Sequence, residues 1–209
     1  MKHKPILTRK LAKDGSGGLR EVIGLMGSQA GTGVTYTGLM LAFYLSEELG
    51  KKTAFLECNN HQDMDLIQKA YEWSSEETAS FCFRNLTCYK RISPKQIPDI
   101  IGQDFDYIII DFGTDWLGNR EEFLRCSLKA VFAGRSEWGL QKLLSFIRNN
   151  ELTRGSDTWY YLIPQAEDRM IKRFKKETYY RICAVPYTDE PTRPNRSTRQ
   201  FFKELLRLA

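Results

Sequence analysis

The sequence predicts an α/β protein of three layers (α/β/α), in which helices cover both faces of a mostly parallel, doubly wound sheet. From about residue 20 onwards, segments typical of strands alternate with segments typical of helices. The segment FDYIIIDFG, residues 105–113, is apolar on both faces, as a central strand must be when helices cover both sides of the sheet. Repeated strand and helix units of this length require right-handed crossovers, which make successive strands parallel.

The first strand and the first helix flank a glycine-rich turn. REVIGLMG, residues 20–27, is a short apolar run ending in glycine, and it predicts a buried strand. Apolar residues recur at helical spacing over residues 34–49, and Gly50 is a typical C-terminal stop. The next strand and helix are predicted at residues 51–58 (KKTAFLEC) and 61–73 (HQDMDLIQKAYEW).

The pattern is least clear in residues 81–91, FCFRNLTCYKR, whose aromatic and branched residues fit one strand or a hairpin. SPKQIPDIIGQ, residues 93–103, predicts a short helix that begins near Ser93 or Pro94. The alternation then continues beyond the central strand. Helices are predicted at residues 119–126, 139–152, 167–176 and 195–208, and strands at residues 128–134, 159–164 and 179–186.

Length and composition favour one domain, which we assign to residues 19–209 after an arm of residues 1–18. The chain has 209 residues, 42% of them hydrophobic, and no apolar run approaches the roughly 20 residues that a membrane span needs. The first residues lack the apolar region of a secretory signal, so we expect a cytoplasmic protein. The five cysteines show no CxxC spacing, which predicts reduced thiols. His3 and His61 lack partners at metal-ligand spacing.

The net charge of +5 is partly concentrated in the arm, which is followed by the sequence GSGG. Its basic residues are Lys2, Lys4, Arg9, Lys10 and Lys13. Such an arm fits contact with nucleic acid or anionic lipid, although a solvated tail is the commoner role of a short charged terminus.

The turn GSQAGTGVT, residues 27–35, leaves the predicted first strand at the edge of the sheet where ligands bind in open parallel folds. Gly31 and Gly33 allow consecutive backbone N–H groups to face one point, and the following helix adds its positive N-terminal end, which favours an anion. Thr35 stands where a P-loop hydroxyl binds magnesium. Asp111 ends the central strand and fits the acidic residue that holds the metal's water shell.

With these features the chain resembles the ParA/MinD group of P-loop ATPases, whose deviant Walker A motif reads KGGxGKT. On that pattern Gln29 falls on the signature lysine, Val34 on the P-loop lysine and Thr35 on the threonine. Ala30, Gly31 and Gly33 fall on the three glycines. The resemblance covers nearly the whole chain from residue 20. It implies a P-loop fold with magnesium on Thr35 and Asp111, and a nucleotide site at Gln29, Ala30, Gly31, Thr32, Gly33, Val34, Thr35, Tyr36 and Pro186.

The chain departs from the family at both lysines. In the family one lysine reaches the phosphates within its own subunit, and the signature lysine reaches those of the partner in a nucleotide-sandwiched dimer. Each lost cation removes charge stabilisation from phosphoryl transfer. Glu57 and Asn59 also stand where the family has the aspartates of a DxD motif. We therefore expect no fast ATP hydrolysis, with Asp111 and Asp115 as the only candidate catalytic residues.

Several alternatives stay open at this stage. Weak binding of ATP or ADP with magnesium and no binding at all are equally compatible with Val34, which can pack into the loop. The resemblance implies a non-hydrolysing protein that positions or regulates a larger bacterial assembly through a protein partner, as in the atypical TadZ group; a homodimer is also compatible. The rivals are a slow ATPase in which Lys51, Lys52 or a partner's arginine replaces the lysines, and a DNA-binding partition-type module.

Two C-terminal segments carry mixed signals. Residues 196–209, RSTRQFFKELLRLA, combine basic and apolar residues, as do the membrane-tethering helices of MinD-type proteins. Packing of this helix on the sheet is the favoured interpretation. Residues 169–181, RMIKRFKKETYYR, fit either a basic surface for DNA, lipid or acidic protein, or a solvated helix face.

Overall fold

A computed structural model describes residues 20–72 and 78–207. The predicted basic arm, residues 1–18, lies outside these ranges, as do Trp73 and Leu208 at the ends of two predicted helices. The strands are β1 Glu21–Gly27, β2 Thr53–Glu57, β3 Ser80–Phe83, β4 Leu86–Tyr89, β5 Tyr107–Asp111, β6 Leu128–Phe132, β7 Tyr160–Pro164 and β8 Arg181–Val185. The α-helices are α1 Val34–Phe43, α2 Asp63–Glu72, α3 Ile97–Ile101, α4 Trp116–Arg125, α5 Glu137–Asn150, α6 Asp168–Glu177 and α7 Arg196–Arg207.

All eight strands form one sheet in the order β3-β4-β2-β5-β1-β6-β7-β8. Every neighbouring pair is parallel except β3 and β4, which form an antiparallel hairpin at one edge. The predicted mostly parallel, doubly wound sheet is therefore confirmed. Strand β1 lies between β5 and β6, so the loop that follows β1 opens at the point where the strand order reverses, which is where ligands bind in this class of sheet.

The core lies on both faces of the sheet, as the three-layer prediction requires. Ile109 of β5 belongs to the cluster that packs under helices α1, α2 and α7. Its neighbours Ile108 and Ile110 belong to the cluster under α3, α4, α5 and α6. Because successive side chains of a strand point to opposite faces, the uninterrupted apolar run of β5 is explained by helices on both sides.

Several element boundaries differ from the sequence prediction. Helix α1 is α-helical only to Phe43 and continues as a π-helical turn, Tyr44–Glu48, before Gly50 stops it with a φ of +60°. Residues 81–91 fall largely in the β3–β4 hairpin, which is the second of the two predicted alternatives. Helix α4 begins at Trp116, three residues earlier than predicted, because Asp115 caps it by accepting a hydrogen bond of 3.0 Å from the Gly118 N–H.

Two predictions made from composition can be compared with the structure. All five cysteines are free thiols, as their spacing predicted. In the described part of the chain, no helix is both long enough and apolar enough to cross a membrane.

Candidate functional site

The turn after β1 lies at the carboxyl edge of the sheet and forms one wall of a cleft of about 230 Å³. Gly31 and Gly33 adopt φ values of +73° and +80°, which residues with a Cβ rarely adopt. These two glycines allow the tight path of the turn. The cleft is lined by Gln29, Ala30, Gly31, Thr32, Gly33, Val34, Thr35, Tyr36, His61, Asp63, Asp111, Gly113 and Thr114. The structure therefore brings all the predicted site residues of this turn to one cleft, together with Asp111.

The base of the turn is fixed to the two strands beside β1. The Gly27 N–H donates to the Gly113 carbonyl at 2.7 Å, just beyond β5. The Ser28 N–H donates to the carbonyl of Phe132, the last residue of β6, at 2.8 Å. A Cβ on Gly27 would lie only 2.9 Å from the Gln29 carbonyl oxygen, so the close approach of the chain requires glycine there. The position of the turn is set by the sheet.

The backbone N–H groups of residues 29–36 make no hydrogen bond to any other described group, and the first helical bond is from Thr37 to the Gly33 carbonyl. Buried or partly buried N–H groups in proteins are almost always paired, with a ligand or water where no protein acceptor exists. Two side-chain atoms nearby, Ser28 Oγ and Gln29 Oε1, are also buried without a partner. The turn therefore offers an unsatisfied set of donors at the positive end of α1, which suits an anion.

Three oxygen-bearing side chains meet where α1 begins. Thr35 Oγ1 donates to Asp111 Oδ2 at 2.6 Å and lies 3.3 Å from Asp63 Oδ2. Burial raises the pKa of the Asp111 carboxyl, and the hydrogen bonds from Thr35 and Gly113 oppose that shift. Hydroxyl and carboxylate oxygens are the ligand types that magnesium prefers. Within the described residues, no three His, Cys, Asp or Glu side chains could hold a metal by themselves, so further ligands would have to come from water or phosphate.

Glu57 and Asn59, at the positions of the DxD motif, hold neighbouring loops together. The buried Glu57 carboxylate accepts hydrogen bonds from the N–H groups of Met64 and Arg91 at 3.2 and 3.3 Å. Asn59 Nδ2 donates to the Asp111 carbonyl at 3.1 Å. Neither residue lines the cleft beside the turn.

The positions of the two absent lysines are filled by an apolar and a polar side chain. Val34 is 7% exposed and packs in the core cluster under α1. Lys51 and Lys52, considered above as substitutes for the missing lysines, precede β2 and so lie at the opposite edge of the sheet, where the Lys52 ammonium pairs with Asp104. Because the sheet separates them from the turn, neither lysine can replace the P-loop cation.

A second cleft, of about 470 Å³, lies on the other side of the turn and shares Gly31, Thr32, Gly33 and Tyr36 with the first. Pro186 lines this second cleft with Gln165 and Asp189. The Tyr36 hydroxyl donates to the Thr188 carbonyl at 2.8 Å and so connects α1 to the loop that contains Pro186. The predicted site residues therefore border two adjoining clefts with the turn between them.

Asp63 and Arg135 line these clefts, although no motif in the sequence predicts either of them. Asp63 begins α2, and the pairing of β2 with β5 brings that helix start beside Asp111. The signal available in the sequence was an acidic residue at the start of a helix that follows a buried strand. Asp115, a candidate for positioning water, is exposed and caps α4, and it lines a separate cleft.

Replacing the buried Asp111 by asparagine is expected to stabilise the protein. The fold holds a carboxyl whose pKa burial has raised, so at neutral pH the ionised group is less stable in the folded than in the unfolded chain. Asparagine has nearly the same shape: its Oδ1 can accept from the Gly113 N–H, and its Nδ2 can donate to Thr35 Oγ1. We expect the free energy of unfolding to rise by about 1 kcal/mol and the melting temperature by about 2–4 °C.

Urea titration and thermal unfolding without ligand measure this effect. Asp115→Asn is the matched control, because that carboxylate is exposed and asparagine caps helices about as well as aspartate. An Asp111→Asn variant less stable than the unmodified protein would contradict the assigned cost of the buried charge.

No protein-family model matches the sequence, and a search of curated proteins finds no significant relative. Solved structures do match. A plasmid partition protein of Borrelia burgdorferi bound to AMPPNP is similar with a TM-score of 0.63 and 14% identity, over 90% of this chain and 98% of that one. A chain of the MinC:MinD cell division protein complex of Aquifex aeolicus is similar with a TM-score of 0.65 and 14% identity, over 90% of this chain and 95% of that one.

A third structure, the septum site-determining protein MinD of Pyrococcus horikoshii with Mg-ADP, gives a TM-score of 0.59 and 13% identity, over 89% of this chain and 94% of that one. At such identities the similarity shows the fold alone. The predicted fold, that of the ParA/MinD-type P-loop ATPases, is confirmed.

Proposed function

We propose that this chain is a ParA/MinD-like protein with a degenerate nucleotide site, which binds a nucleoside di- or triphosphate weakly and hydrolyses it very slowly or not at all. The observation that carries the proposal is the run of free N–H groups over residues 29–36 at the start of α1. A phosphate group supplies the acceptors that these donors lack. The magnesium-bound ADP of the Pyrococcus horikoshii structure and the AMPPNP of the Borrelia burgdorferi structure support this choice of ligand.

The residues of both clefts fit such a ligand. The backbone of residues 29–36 would hold the phosphates, and Thr35 and Asp111, with Asp63 beside them, would hold magnesium or its water shell. Magnesium, when bound, neutralises phosphate charge. Pro186 lines the second cleft, where it would contact the base.

Slow or absent hydrolysis follows from the charges around the turn. Within the described residues, no lysine or arginine lines the cleft between the turn and Asp111. Phosphoryl transfer depends largely on cations that stabilise the charge of the transferred group. A site without them favours binding over catalysis, although the slow ATPase remains the alternative.

The biological role we propose is that of a regulatory or positioning partner of a larger bacterial assembly. The structural neighbours include a cell division complex of two proteins and plasmid partition proteins, which supports a protein partner or a homodimer. We propose a cytoplasmic location, with peripheral contact to membrane or DNA assigned to the basic arm, which lies outside the described residues. In that case, binding to duplex DNA should weaken steeply with added salt.

Calorimetric titration with ADP and ATP, with and without magnesium, tests the nucleotide site. We expect saturable binding by the unmodified protein and, for Thr35→Ala with magnesium present, a loss of affinity of roughly tenfold or more, because the variant lacks the hydroxyl that faces Asp111. Without magnesium the two proteins should bind nearly equally, which makes that arm the internal control. No heat at millimolar ligand, with an unchanged melting temperature, would contradict the proposal.

A further inference from the structure

The clefts beside the turn are poor in positive charge. The first has no lysine or arginine in the described part of the chain, and its one imidazole is that of His61. Among the described residues that line the second, Arg135 is the one lysine or arginine. Three phosphates carry several negative charges, which magnesium alone does not neutralise. Of the described residues that line the two clefts, Arg135 is therefore the candidate for the missing cation.

Arg135 has a fixed backbone position next to the turn. It lies between β6 and α5: the Ala133 N–H is bonded to the Leu162 carbonyl at 3.0 Å, and Ser136 caps α5 by accepting from the Gly139 N–H at 3.0 Å. The residue before it, Gly134, approaches the turn so closely that a Cβ there would lie 3.0 Å from Gln29 Nε2. Arg135 therefore stands beside the position of the absent signature lysine.

The Arg135 side chain is exposed and has no hydrogen-bond acceptor, carboxylate or aromatic partner among the described residues. Two cations that follow β4 differ in this respect: Lys90 is buried and pairs with Asp65 at 3.0 Å, and Arg91 lies 3.7 Å from the same carboxylate. Asp189 lines the same cleft as Arg135 without forming an ion pair with it. The five donors of its guanidinium are thus available to a ligand.

We infer that Arg135 is the phosphate-binding cation of this protein and that it replaces, from within the same chain, the lysines absent from positions 29 and 34. The inference rests on the proposed nucleotide site and deepens it. A guanidinium can bind two phosphate oxygens at once, whereas a lysine ammonium acts as a point charge. Because Arg135 approaches from the β6–α5 loop, its contribution needs no partner subunit.

The test compares the affinities of adenosine, AMP, ADP and ATP, with magnesium, for the unmodified protein and for Arg135→Ala, Arg135→Lys and Arg154→Ala. Arg154 is the matched control, because it is exposed, has no described partner and precedes β7 at the opposite edge of the sheet. Equilibrium dialysis at one low and one high salt concentration gives the four dissociation constants of each protein and their dependence on salt. Melting temperatures without ligand confirm that the variants are folded.

We expect Arg135→Ala to weaken ADP and ATP binding by roughly tenfold or more, to leave adenosine binding unchanged, and to make nucleotide affinity less dependent on salt. Arg135→Lys should recover part of the loss, and Arg154→Ala should bind every ligand as the unmodified protein does. Equal ADP affinities for Arg135→Ala and the unmodified protein would overturn this inference and leave the proposed function standing. If Arg135→Ala lost as much affinity for adenosine as for ADP and ATP, the inference would also be overturned, because Arg135 would then contact the nucleoside rather than the phosphates. Absence of binding by the unmodified protein would overturn both.

Discussion

Val34→Lys is expected to tighten ADP and ATP binding by roughly 10- to 100-fold, the usual value of one charge-assisted hydrogen bond to phosphate. Position 34 begins α1, directly after the turn whose N–H groups are free, and it lines the cleft beside Asp111. A lysine there would add a positive charge beside the free N–H groups of the turn, where we propose that phosphate binds. The measurement is calorimetric titration with magnesium.

The same substitution should lower the free energy of unfolding by about 2 kcal/mol, because Val34 is 7% exposed and packs in the core. Val34→Ala is the control, since it removes the packing without adding a charge and should lose stability with no gain in affinity. A lysine variant that loses stability without gaining affinity would show that the turn does not hold phosphate.

The fold could be predicted largely because its central strands are so apolar. The run Ile108, Ile109, Ile110 predicts a strand covered on both sides, and the structure places β5 between β2 and β1. The boundaries of helices and strands were harder to predict where a single residue determines them. The hairpin turns at Arg84, a non-glycine residue with a φ of +54° that local propensity does not predict. The early start of α4 depends on the cap by Asp115 rather than on apolar spacing.

The candidate site was predictable where its residues end a strand or belong to the glycine-rich turn that follows one. Thr35 and Asp111 could be paired from sequence because the carboxyl ends of parallel strands meet at one edge, and their side chains are 2.6 Å apart. The position of Asp63 beside this pair depends on the path of the preceding loop, in which Gln62 has a φ of +62°. Arg135 belongs to no motif, and it is recognised only by the close approach of Gly134 to Gln29.

Phe202→Ala is expected to lower the free energy of unfolding by about 3–5 kcal/mol, the usual cost of removing a fully buried phenylalanine. The Phe202 side chain is 0% exposed, and its ring lies 5.9 Å from that of Tyr44, beside α1. With Thr198 and Leu205 it forms the buried face of α7, at the spacing of one helical stripe. The apolar face of this helix is therefore part of the core in the described protein.

Phe201→Ala is the matched control, because the neighbouring phenylalanine is only partly buried and its removal should cost about 1 kcal/mol or less. The two variants also distinguish a helix α7 that packs on the sheet from one that tethers the protein to a membrane. A membrane-tethering helix needs its apolar face free to enter lipid. If α7 were such a tether, Phe202→Ala would weaken binding to anionic vesicles and leave the urea midpoint nearly unchanged. A loss of stability at position 202 alone instead means that α7 can reach a membrane only by leaving the sheet, at a cost of several kcal/mol. Any contact of α7 itself with a membrane would then depend on exposed basic residues such as Arg196 and Lys203 rather than on the buried stripe.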